Sequence, residues 1–297
     1  MENEVGKPVV HDESALVRSK VELETHEIDW FLDAVWVRYG YDFRQYARAS
    51  LIRRVHYRLQ SEGLKRVSEL IPLVLYDEDF FQRFLKDMSV TVTTMFRNAV
   101  VFKGIRDQIV SFLRTYPRIN IWHAGCATGE EVYSMAILLK EEGLLERTRI
   151  YATDYNNQSL EFAKHGIYPL KEIRGYTENY LCAGGKGSFS DYYQARYEHA
   201  IMNSDLKDRI TFAHHNLMKD GVFAEMHLVL CRNVLIYFDQ NLQNRVLKVL
   251  SNSLVHRGFL VLGDKETLDF SAIANEFDEQ VDRQRIYRKR PVLNSIT

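Results

Sequence analysis

The chain is poor in the residues that staple or anchor a protein. Its 297 residues include three cysteines, Cys126, Cys182 and Cys231, widely separated and in no C-x-x-C pair. An odd number at such spacings suits neither a disulfide framework nor a zinc site, and a reducing cytoplasm is expected. No run of about 18 apolar residues occurs, and the first 20 residues lack an apolar stretch of signal-peptide length, so neither a membrane span nor a signal peptide is expected. Net charge is missing too, because 39 lysines and arginines face 40 acids, a formal −1. That balance offers no overall pull toward nucleic acid or an anionic membrane. Also absent are the G-x-G-x-x-G of dinucleotide folds, the G-x-x-x-x-G-K-[ST] of phosphate loops and a convincing Ser, His and Asp set. His214 and His215 have no third ligand in range, so no metal site is expected.

What is present is ordinary globular material, 46% apolar and 27% charged. Residues 1–25 are polar, mixed in charge and read as a loose tail. Residues 26–90 carry a helical pattern: Ile28, Phe31, Leu32 and Val35, then Leu51, Val55 and Leu59, then Leu70, Val74 and Phe81, punctuated by Gly40 and Gly63. A threonine-rich turn and linker over 91–105 follows, with a helix from about 99 to 116. From 106 to 297 strands and helices alternate. Strands are expected at Ile119 to Ala124, Arg149 to Thr153, Ile210 to Ala213, His227 to Cys231 and Phe259 to Leu262. Helices are expected at Glu130 to Glu142, Gln158 to His165 and Leu242 to His256. The alternation implies an α/β fold with a mostly parallel, doubly covered sheet, whose ligand sits at the carboxyl ends of its strands. Residues 171–209 break the rhythm. Their glycine-rich turn at 184–187 between aromatic runs suggests an inserted antiparallel hairpin.

The segment IWHAGCATGEEVYS, residues 121–134, is a strand, a glycine turn and a helix start. Gly125 and Gly129 allow close backbone approach to a ligand, and the new helix presents unpaired amides. Glu130 and Glu131 at that helix start would repel a pyrophosphate and suit a ligand with positive charge, or they simply stabilise the helix N-terminus. S-adenosylmethionine carries an ammonium and a sulfonium and no phosphate. Asp154 follows the second strand where doubly wound folds place an acid against ribose hydroxyls, a helix cap being the alternative. Between Arg38 and Arg66 eight basic residues face only Asp42 and Glu62. That stretch is either a docking surface for an acidic partner or a solvated, salt-bridged helix face.

Five stretches in order, TVTTMFR (91–97), AGCATGEEVYS (124–134), ATDYN (152–156), HNL (215–217) and CRNVLIYFD (231–239), resemble the bacterial chemotaxis-receptor methyltransferases of the CheR type. The likeness runs from about residue 27 to Lys289. It implies an all-α N-terminal domain ahead of a Rossmann-like class I methyltransferase domain with a small β-subdomain. It also implies methyl transfer from S-adenosylmethionine to glutamate side chains on the cytoplasmic helical bundle of chemoreceptors. By resemblance the cofactor contacts fall on Thr91, Thr93, Arg97, Gly125, Glu131, Asp154, Asn216, Leu217, Arg232 and Asn233, with Arg97 and Tyr237 beside the reacting methyl. The family often has asparagine at the position of Thr91 and phenylalanine at that of Met95. Under this reading Arg48, Arg53, Arg54 and Arg58 dock the acidic receptor, and the enzyme is a cytoplasmic monomer. A cofactor-sensing binding module, a nucleic-acid methyltransferase and a dinucleotide oxidoreductase are competing readings. The last two lack, respectively, a Pro-Pro-aromatic turn and the glycine spacing they need.

Overall fold

The computed structural model describes residues 19–88, 93–281 and 283–291. These divide into two compact units, residues up to 44 with 51–84, and residues 45–50 with 85 onward. The helices of the N-terminal region are α1 (Lys20–Tyr39), α2 (Arg48–Ser61), α3 (Leu70–Tyr76) and α4 (Glu78–Met88). α1 begins at a capping box, in which Ser19 and Glu22 satisfy each other's amides, and stops at Gly40 in a left-handed turn. Its buried stripe of Ile28, Phe31, Leu32 and Val35 is the one the apolar spacing predicts. Phe31 meets Phe84 edge to face, with ring centroids 4.9 Å apart.

Two of the four expected docking arginines do not reach the surface. Arg54 is 6% and Arg58 8% exposed. Arg58 is paired with Glu62 at 3.0 Å and donates to the carbonyl of Arg83. The helical period explains this correction, since Arg54 and Arg58 fall on the side of α2 that carries Leu51, Val55 and Leu59. Arg53 is exposed and Arg48 half-buried.

The second unit is built on a seven-stranded sheet. Its strands are β1 (Ile119–Ala124), β2 (Thr148–Asp154), β6 (Ile210–His214), β7 (Met226–Cys231), β8 (Leu254–Leu262), β9 (Phe277–Val281) and β10 (Ile286–Lys289). The order is β6-β2-β1-β7-β8-β10-β9. β6, β2, β1, β7 and β8 are parallel, while β10 runs antiparallel to both β8 and β9. The chain steps outward from β1 through β2 to β6 and then returns to β7 on the other side of β1. A crevice therefore opens between β1 and β7, at the carboxyl ends of the strands. Helices α5 (Ala99–Gly104), α6 (Val110–Leu113), α7 (Glu130–Glu141), α8 (Asn157–His165), α9 (Ile173–Cys182), α10 (Ser204–Lys207) and α11 (Gln240–Ser253) accompany the sheet.

Three sequence expectations are corrected here. The helix expected from 99 to 116 is interrupted by a π-turn over Ile105–Ile109. α11 ends at Ser253, and Leu254 already pairs with Met226 in the sheet. Leu254 keeps helical spacing with Leu250, so periodicity alone carries the helix too far. The hairpin is displaced as well. Strands β3 (Ile167–Pro169), β4 (Tyr193–Arg196) and β5 (His199–Met202) form a three-stranded antiparallel sheet in the order β3-β5-β4. Its tight turn lies at Tyr197 and Glu198, and the glycines at 184–187 instead follow the end of α9. Tyr176 and Tyr180 are four residues apart on one helix face, where both are buried with Tyr168 and Phe189. Aromatic residues are common in strands, which is why that run reads as β from the sequence.

Candidate active site

The loop after β1 needs its glycines. Gly125 has φ +83°, and a Cβ there would lie 2.5 Å from Val234 Cγ2. Gly129 has φ +92°, and its Cβ would lie 2.9 Å from that of Ala163. Side chains at either position would drive the loop away from its neighbours. Between them Ala127 sits at φ +47° and donates its N–H to Asp154 Oδ2 at 2.9 Å, while Asn156 N–H donates to Oδ1 at 2.9 Å. Asp154 thus ties the end of β2 to the glycine loop. Burial pushes its carboxyl up, and the backbone amides of Asn156 and Ala127 oppose that shift.

The adjacent acids at the start of α7 have different fates. Glu131 binds His123 Nδ1 at 2.8 Å and accepts from Arg232 Nη1 at 2.9 Å. Burial alone would raise the Glu131 carboxyl, but the His123 hydrogen bond and the Arg232 charge carry it below the ordinary range. Glu130 turns away, is 6% exposed and accepts from the Thr128 hydroxyl at 2.7 Å. Burial drives it up to about 7. Of the two acids, Glu131 alone lines the cavity.

Arg232, at the end of β7, reaches further. Its Nη2 donates to the carbonyl of Arg97 and to Asn98 Oδ1, both at 3.0 Å. One guanidinium therefore joins Glu131 to the turn that carries Arg97. Beyond β6, Asn216 Oδ1 accepts from Met218 N–H at 3.0 Å, an Asx turn that presents Leu217. Asn233 has φ +61°, and Tyr237 ends a short 3-10 turn.

These segments line one cavity, partly open to solvent, within the larger unit. It is lined by Thr93, Arg97, Gly125, Glu131, Asp154, Asn216, Leu217, Arg232, Asn233 and Tyr237. Thr91 lies outside the described residues. The cavity also takes Tyr46 and Met88 from distant parts of the chain, and Cys126, His215 and Met218 from the loops. Nothing in the sequence around Tyr46 signals this role. The segment comes to the site because Ala47 N–H donates to the Tyr237 carbonyl and Asp239 N–H to that of Gln45, both at 2.8 Å.

Apolar walls with an acid at each of two places suit an adenosyl ligand that ends in an amino acid. The residues fit S-adenosylmethionine, with Asp154 able to accept ribose hydroxyls and Glu131 to face an ammonium. The fold and the cavity define a class I S-adenosylmethionine-dependent methyltransferase. Comparison with known families makes this specific. Residues 91–283 match the CheR methyltransferase, SAM binding domain, and residues 26–89 match the CheR methyltransferase, all-alpha domain. The chain belongs to the CheR methyltransferase family. It is 52% identical to a Pseudomonas putida protein named as a methyltransferase, Cher3, over 89% of this chain and 96% of that one. It is 27% identical to the chemotaxis protein methyltransferase of Salmonella typhimurium, over 82% and 83% of the two chains. With that of Escherichia coli the identity is 28%, over 82% and 84%. Among the described residues no helix is long and apolar enough to cross a membrane.

Proposed function

We propose that the protein methylates glutamate side chains on the cytoplasmic helical bundle of chemoreceptors, forming glutamyl methyl esters that tune sensory adaptation. The observation that carries this reading is the shared lining of one cavity by Glu131, Asp154, Arg97 and Tyr237. The names of the Salmonella and Escherichia relatives support the chemotaxis context. Bound S-adenosylmethionine supplies an electrophilic methyl group on a cationic sulfur.

A glutamate substrate, with a pKa of about 4.3 in water, is already ionised at neutral pH, so this reaction needs no general base. The chain's own work is then positioning and water exclusion. Asp154 would hold the ribose of the cofactor and Glu131 its ammonium. Arg97, which lines the same cavity, would take the cofactor's carboxylate. An arginine clamped on the substrate carboxylate would instead quench the nucleophile. Tyr237 orients the substrate carboxylate through its hydroxyl, which neutralises it less than an arginine would. Arg53, exposed on α2, and Arg48 steer the acidic receptor.

The test is incubation with tritiated S-adenosylmethionine and purified receptor cytoplasmic fragments. The expected product is protein-bound tritium released by mild alkali. Arg97→Ala and Tyr237→Phe are each expected to cut its rate by ~10- to 100-fold, the cost of misplaced reactants. Label that survives alkali would exclude an ester and overturn the reading.

A further inference from the structure

The turn after β7 brings Asn233 and Tyr237 to the cavity, and its backbone amides need acceptors. They find one buried side chain, Glu266, 3% exposed. Glu266 Oε2 accepts from Gly263 N–H at 2.6 Å and Asn233 N–H at 2.9 Å. Its Oε1 accepts from Leu235 N–H at 2.7 Å and Ile236 N–H at 3.3 Å. Four amides from two loops therefore converge on one carboxylate, including that of Asn233 in its left-handed conformation. The fit is close, since a Cβ on Gly263 would lie 2.7 Å from Glu266 Oε2 and 2.8 Å from Asn233 N. On its far side the turn is held by residues 45–47, with Tyr46 bridged antiparallel to Phe238.

We propose that Glu266 is a positioning residue for methyl transfer. It acts through the backbone of residues 233–236 to set Tyr237 in the cavity, and so rests on the role proposed for Tyr237. Burial pushes the Glu266 carboxyl up and the four amides oppose that shift, as an anion built to accept requires. A glutamine of the same size has one acceptor oxygen and one NH2 group. It can serve Gly263 and Asn233, or Leu235 and Ile236, but must set donors against the other pair.

The experiment has two arms. In hydrogen exchange on the full chain, Glu266→Gln should speed exchange of residues 233–237 by ~10-fold or more, with α7 unchanged. In the tritium assay, Glu266→Gln should lower kcat by ~10- to 100-fold, and Tyr237→Phe should then cost about 3-fold or less beyond that. Gly263→Ala, which intrudes on the same contacts, should reproduce the kcat loss and serves if the glutamine variant fails to fold. Unchanged exchange at 233–237, or Tyr237→Phe costing as much in the variant as in the parent, would overturn the inference. Tyr237→Phe alone having no effect would instead remove Tyr237 from the reaction.

Discussion

Asp154 both braces the fold and lines the cavity, because the carboxylate there also accepts from Ala127 and Asn156. Asp154→Asn sets an NH2 group against one of those amides. With charged hydrogen bonds worth ~1.5–3 kcal/mol, affinity for S-adenosylhomocysteine should fall by ~10- to 100-fold in calorimetry. Unaltered affinity would remove Asp154 from the ligand. The arginines of α2 separate by the same kind of reasoning. Arg53→Glu should raise the Michaelis constant for receptor fragments and flatten its dependence on salt, with the melting temperature unmoved. Arg58→Glu places a carboxylate beside Glu62 in a mostly buried position, so its expected signature is a loss of stability of ~3 kcal/mol or more. If Arg53→Glu leaves the kinetics alone, α2 is not a docking surface. None of these roles follows from residue type, since Arg53 and Arg54 are neighbours in the same basic run.

At the scale of single elements, α7 holds an energetic conflict at its first residue. Glu130 is buried and titrates at about 7, against an ordinary 4.5. Between those pH values the folded chain keeps a proton that the unfolded chain releases. The stabilisation is therefore complete below pH 4.5 and is lost as pH rises through 7, a swing on the order of 3 kcal/mol. Glu130→Gln keeps the Thr128 hydroxyl contact and removes the titration. Its gain in melting temperature should be small at pH 5 and larger at pH 8, and a gain independent of pH would refute the assignment. Elements whose apolar period matches their structure were legible in the sequence, among them β1, β2, β7 and α8, each within a residue or two. α11 ran on in the sequence reading because Leu254 extends a helical period into a strand. The turn of the β-subdomain hairpin was misplaced because tyrosines that pack on a helix face resemble those of a strand.

For the whole molecule, a cavity that binds ligand in the folded state alone must raise stability by mass action. S-adenosylhomocysteine at about 100 times its dissociation constant adds ~2.7 kcal/mol, which should lift the melting transition by about 5 °C or more. No shift would remove the cavity from cofactor binding. The sequence by itself determined the helical N-terminal region, the mostly parallel α/β sheet, the glycine loop and the motifs that mark the CheR family. Such features are written in local periodicity and in residues with special backbone freedom. Only the tertiary structure decided that Arg232 joins Glu131 to the turn carrying Arg97, and that Glu266 grips the Tyr237 turn. Those outcomes depend on partners far along the chain, Arg232 being 101 positions from Glu131 and Glu266 33 from Asn233. Hydrogen-bond partners at such separations leave no periodic trace, because strand order and loop packing bring them together only once the sheet has formed.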